Sequence, residues 1–128
     1  MKALFFIQIS VALLLTACSS LSESNAIQEF IPGTYIRSAQ TEFGQAYDTL
    51  VISLQNEPAR EYKILRKWRY DRVLDGKPIE PEYKLTESSG IYDTEKNLLQ
   101  ETETLELFTF DVEKKLLFNG ANKFTKIK

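Results

Sequence analysis

Histidine is absent from the 128 residues, and cysteine, methionine and tryptophan occur once each. Without an imidazole there is no Ser-His-Asp triad, no Cys-His dyad and no His-bearing zinc site. A lone thiol makes neither an intrachain disulfide nor a thiolate cluster. None of the five glycines stands in a phosphate-cradling loop or a Gly-x-Ser-x-Gly elbow. Charge of neither sign dominates: 16 Lys and Arg against 18 Asp and Glu give −2. That balance argues against a nucleic-acid binder, which carries a concentrated basic face.

What is present is most informative at the N-terminus. Met1 and Lys2 make a short basic start, and Ala3 to Leu15 form an apolar run broken only by Gln8 and Ser10. That run is shorter than the roughly 20 residues that span a bilayer and has the layout of a secretory signal. Leu15-Thr16-Ala17-Cys18 closes it. This tetrapeptide resembles the lipobox of bacterial lipoproteins, in which cleavage falls just before an invariant Cys whose thiol carries diacylglycerol. The resemblance implies cleavage between Ala17 and Cys18, and palmitate-type acylation of Cys18. One acyl chain binds a bilayer only marginally, whereas two or three hold a protein there.

Residues 1–17 are therefore read as a signal peptide, 18–29 as a lipidated tether and 30–128 as one β-domain. Removing 17 of 128 residues leaves 111, a single domain's worth. The stretch Ser19 to Gln28 is polar and serine-rich, as flexible linkers are. Ser rather than Asp follows Cys18, which by resemblance to the sorting rule of many didermal bacteria implies the outer membrane. Glu23 is the only acid close behind, so a periplasm-facing orientation is expected.

From Phe30 onward the chain reads as short strands and turns. Leu50, Ile52 and Leu54 alternate with Thr49, Val51 and Ser53. In Glu61 to Val73, Tyr62, Ile64, Trp68 and Tyr70 share one face, and the aromatic density favours strand over a helical reading. Asn56-Glu57-Pro58, Asp75-Gly76 with Pro78 and Pro81, and Asn119-Gly120 supply turns. The remaining strands fall at Tyr83–Thr86, Gly90–Tyr92, Leu98–Glu101, Thr104–Phe110, Leu116–Phe118 and Asn122–Ile127. Tyr92-Asp93-Thr94-Glu95-Lys96-Asn97-Leu98-Leu99 aligns with Phe110 to Leu117 at a spacing of 18. Two such units mean successive hairpins, with Asp capping each turn through its own backbone.

The expected fold is all-β: an antiparallel up-and-down meander of seven to eight strands, forming an open barrel or a strongly twisted sheet. Its outline is similar to lipocalin-type barrels, an analogy that carries no ligand with it.

Arg66 and Arg72 fall on the face of Trp68 and Tyr70. These four residues could form an anion site at a barrel mouth, with Arg as bidentate donor and the aromatics as a stacking wall. Alternatively one Arg pairs with a buried acid such as Glu87. The pairs Glu101/Glu103 and Glu80/Glu82 are expected on solvated faces rather than in a catalytic pair. No cofactor, no metal and no enzymatic activity is expected.

Phe-Ile-Pro-Gly-Thr-Tyr from Phe30, Tyr-Asp-Thr-Leu from Tyr47, Tyr-Lys-Ile-Leu-Arg from Tyr62 and Asp-Gly-Lys from Asp75 resemble small lipoproteins of Bacteroidota, some of which travel with conjugative elements. The expectation is an anchored envelope lipoprotein whose β-domain binds another envelope component, as an accessory of a larger assembly. The alternative is a calycin-like carrier of a small apolar or acidic ligand. A filled core with an exposed aromatic patch or open sheet edge favours the first, and an apolar cavity lined by Trp68, Tyr62 and Leu105 favours the second.

Overall fold

The computed structural model describes residues 23–128. The signal peptide, the cleavage site at Ala17 and Cys18, and residues 19–22 of the tether lie outside the described residues. The rest of the tether differs from expectation, because residues 23–30 form a helix, α1, with Ser24 and Ile27 buried. Ile27 and Ile31 lie four apart, one helical turn, and Ile31 N–H donates to the Ile27 carbonyl at 3.0 Å. Pro32 ends the helix, since it has no N–H to continue it.

Nine strands follow: β1 (Gly33–Thr41), β2 (Gly44–Asn56), β3 (Glu61–Leu74), β4 (Lys77–Pro78), β5 (Glu82–Asp93), β6 (Leu98–Glu101), β7 (Leu107–Asp111), β8 (Leu116–Asn119) and β9 (Asn122–Lys126). β4 pairs only with the end of β3, as a two-residue flap. The other eight pair antiparallel in chain order, and β9 returns to β1 through Tyr35↔Lys126 and Ile36↔Thr125. The fold is thus an all-β, up-and-down barrel with a lipocalin-like outline, and it is closed. Tyr83–Thr86 and Gly90–Tyr92, expected as two strands, belong to one continuous β5 across Glu87, Ser88 and Ser89.

The barrel wall is uneven. β2, β3 and β5 have 13, 14 and 12 residues, whereas β6 to β9 have four or five. β5 meets β6 only from Gly90 to Asp93, and β1 meets β9 only near Tyr35. Beyond those points β1, β2, β3 and β5 continue as a tall four-stranded sheet standing above the rest.

The interior of the low part is filled. Tyr35, Tyr92, Phe108, Phe124, Leu50, Ile52, Leu99 and Leu117 are fully buried. α1 closes the end opposite the tall sheet. Tyr35 Oη donates to the carbonyls of Ile31 at 2.8 Å and Phe30 at 3.1 Å, and Tyr62 Oη donates to the Gln28 carbonyl at 3.3 Å. Lys126 Nζ donates to the Phe30 carbonyl and sits over the Phe30 ring.

The 18-residue repeat builds two equivalent turns at the α1 end. Asp93 Oδ1 accepts from the N–H groups of Glu95 and Lys96, and Asp111 Oδ1 accepts from that of Lys114. Each turn ends in a left-handed residue, Asn97 at φ 54° or Lys115 at φ 57°. A third turn follows the same plan, with Asn56 Oδ1 accepting from Ala59 N–H and Arg60 at φ 51°.

Candidate concave site on the tall sheet

Strand register lays out the inner face of the tall sheet in rows. Tyr35, Leu50, Arg66 and Thr86 form the lowest row. Arg37, Asp48, Trp68 and Lys84 come next, then Ala39, Ala46, Tyr70 and Glu82, and finally Thr41, Gly44 and Arg72. All four residues singled out from the sequence, Arg66, Trp68, Tyr70 and Arg72, therefore share this concave face. Along β3 burial falls steadily, from Tyr62 and Ile64 at 3% exposure, through half-buried Arg66, Trp68 and Tyr70, to exposed Arg72.

Trp68 and Tyr70 stack on each other, ring centroids 5.6 Å apart and planes 23° apart. Residues two apart on a strand project to the same side, so this pair forms a continuous aromatic wall. Beside it, Ala39 and Ala46 leave the sheet surface low. Arg66, Trp68, Lys84 and Thr86 line a groove of about 400 Å³ at the foot of the wall.

Both arginines are already engaged. Arg66 holds Asp48 through two hydrogen bonds, and Arg72 Nη1 lies 3.0 Å from Glu82 Oε1. The hydrogen bond to Asp48 is the main reason the Arg66 guanidinium is held more firmly protonated than usual, with Glu106 and Glu101 adding to it. Arg66 and Arg72 thus already hold carboxylates on this face, and each guanidinium has further N–H groups beyond those contacts. The buried acid is Asp48 rather than Glu87, whose Oε1 lies 2.7 Å from Lys63 Nζ. Asp48 stands 18 residues from Arg66, and only the β2–β3 register brings them together. Glu101, expected on a solvated face, is buried at 8% exposure inside the barrel mouth.

Sequence reading also missed the convex face behind the wall. Arg69 is sandwiched between two tyrosines, its guanidinium carbon 5.8 Å from the Tyr47 ring and 5.9 Å from the Tyr83 ring. Arg69 Nε also donates to Asp71 Oδ1 at 2.7 Å. Tyr83 and Leu85 are 71% and 67% exposed on the same face. Tyr47, Arg69 and Tyr83 occupy one register row, so the cluster follows from pairing rather than from any local motif.

Leu105, expected to line an apolar cavity, is instead 62% exposed. Among the described residues, no three acidic, Cys or His side chains come together as a metal site. No helix among them is long and apolar enough to cross a membrane. No protein-family model, no curated protein and no solved structure matches this chain.

Proposed function

We propose that this chain is an envelope lipoprotein, cleaved after Ala17 and held in the outer membrane by lipid on Cys18, facing the periplasm. Its β-domain binds another envelope component as an accessory of a larger assembly and performs no reaction. The observation that carries this reading is the concave Trp68–Tyr70 wall on the tall sheet, at the end of the barrel remote from α1. The described chain begins with α1, so the aromatic face lies at the end of the domain away from residue 23. A filled barrel supports a surface that receives a partner over an interior that holds a ligand. Beside the paired arginines the face also carries Arg37 and Lys84, so it suits a partner that buries aromatic surface and meets these groups with hydrogen-bond acceptors of its own.

Two measurements test the two halves. Wild-type protein incorporates labelled fatty acid and Cys18→Ser does not; labelling that persists in Cys18→Ser contradicts the anchor. Trp68→Ala combined with Tyr70→Ala leaves the protein folded and anchored but removes the envelope component that co-purifies with the wild type. Undiminished co-purification contradicts the assignment of the concave face.

A further inference from the structure

The tall sheet ends in an open strand. Among the described residues nothing pairs with Glu82–Ser88 on the side of β5 away from β3. Two backbone bonds fix which groups face outward. Tyr92 N–H donates to the Arg60 carbonyl on the β3 side, while the Ser89 carbonyl accepts from Thr102 N–H on the other side. In an antiparallel strand the N–H and C=O of a residue point the same way and alternate along the chain. Tyr83, Leu85 and Glu87 therefore present unpaired N–H and C=O groups to the free edge, and Leu85 is the midpoint of that edge.

We propose that two copies of this chain pair through β5, antiparallel, about a two-fold axis at Leu85. This places Leu85 opposite Leu85 and Tyr83 opposite Glu87, each pair exchanging two hydrogen bonds. No outward-facing group on the segment is left over. On the convex face the exposed Tyr83 and Leu85 of both copies become one apolar strip, and Glu87 of each copy comes to lie beside the Tyr83 that stacks on Arg69 of the other. On the concave face Lys84 meets Thr86, and Glu82 meets Ser88. No like charges oppose.

The other registers are worse. An axis at Lys84 opposes two lysines and one at Glu87 opposes two glutamates, both unfavourable. An axis at Thr86 needs the Ser89 carbonyl, already taken by Thr102. The edge of β1 is a poorer template. Thr34 bonds toward the C-terminal strand, so beyond Ile36 only Ser38 and Gln40 face outward. The charges on β5 thus disfavour these other registers. The two-fold sets the α1 ends at opposite ends of the pair, so two anchored copies lie lengthwise on one membrane. The pairing uses the backbone edge of β5, beside the groove side chains Lys84 and Thr86, and stands whether or not Cys18 is lipidated.

Crosslinking in cells with the full-length chain tests the register. Two differently tagged copies, one Tyr83→Cys and the other Glu87→Cys, are treated with a short bis-maleimide, as are copies that both carry Leu85→Cys. Adducts are expected from Leu85→Cys with itself and from Tyr83→Cys with Glu87→Cys, and not from Tyr83→Cys with itself. Leu85→Pro removes only an outward N–H, so the β3–β5 ladder is kept while the 83/87 adduct falls about ten-fold or more. Leu85→Arg, which keeps the backbone intact, has the same effect by opposing two cations. Equal yields from all pairings, an adduct between Leu85→Cys and Ser38→Cys, or no adduct from any pair overturns the proposal.

Discussion

Arg66 grips Asp48 with two roughly parallel hydrogen bonds, Nε to Oδ1 at 3.0 Å and Nη2 to Oδ2 at 2.5 Å. The two sides of this pair are unequal, since the Asp48 side chain is 5% exposed and that of Arg66 is 33% exposed. Arg66→Met strands a buried carboxylate and is expected to cost about 3 kcal/mol. Asp48→Asn leaves a guanidinium that still reaches solvent and the acids at the barrel mouth, and costs about 1 kcal/mol. Urea unfolding of the two variants checks the order. A greater loss in Asp48→Asn would mean that the carboxylate is not the desolvated partner.

The glycines separate turn chemistry from close approach. At Gly44, φ is 145° and an added Cβ would lie 2.1 Å from the Asp71 carbonyl oxygen of the neighbouring strand. At Gly120, φ is 58° and an added Cβ meets nothing within 4 Å. Gly120→Ala is therefore expected to cost about 1 kcal/mol, the strain of a left-handed residue, and Gly44→Ala several times that. Thermal unfolding of both variants gives the comparison, and equal losses would contradict the β2–β3 approach at Gly44.

Alkaline pH is expected to unfold the barrel. Burial raises the phenol pKa values of Tyr35, Tyr62 and Tyr92 above the usual value, most strongly for Tyr35. A group whose pKa is higher folded than unfolded stabilises the fold below its unfolded pKa, near 10, and that contribution is lost as pH rises. Lys126 works the other way. Desolvation lowers its pKa, so the folded state becomes relatively more favourable as pH rises through that value, but one partly buried amine opposes three phenols. Tyrosinate absorbance followed together with circular dichroism checks this. Three of the six tyrosines should ionise only as the dichroism collapses; full ionisation in a folded chain would contradict the packing.

Much of the barrel was legible because local chemistry agrees with the global fold. Leu98–Glu101 came out with the bounds of β6, and the Asp-led repeat set two hairpin turns. α1 is not legible because most of it lies in a polar, serine-rich stretch, and its buried Ile27 and the buried Ile31 just beyond it fall on either side of the expected boundary at residue 30. Closure was left open because β9 and β1 lie at the two ends of the domain and share only two register positions. At the concave face the inward alternation of Arg66, Trp68, Tyr70 and Arg72 was readable from period two alone. Their pairing was not: Asp48 and Glu82 reach them from other strands, and nothing local marks an acid 18 residues away as a partner.

Site-specific photo-crosslinking from the concave face of the full-length chain in cells tests the central claim most directly. A photoreactive residue replacing Trp68 or Tyr70 should capture an envelope component. The same residue replacing Lys123, on β9 of the low wall, should not, and Cys18→Ser should remove the adduct by releasing the domain from the membrane. Capture from Lys123 but not from Trp68 or Tyr70 would contradict the account.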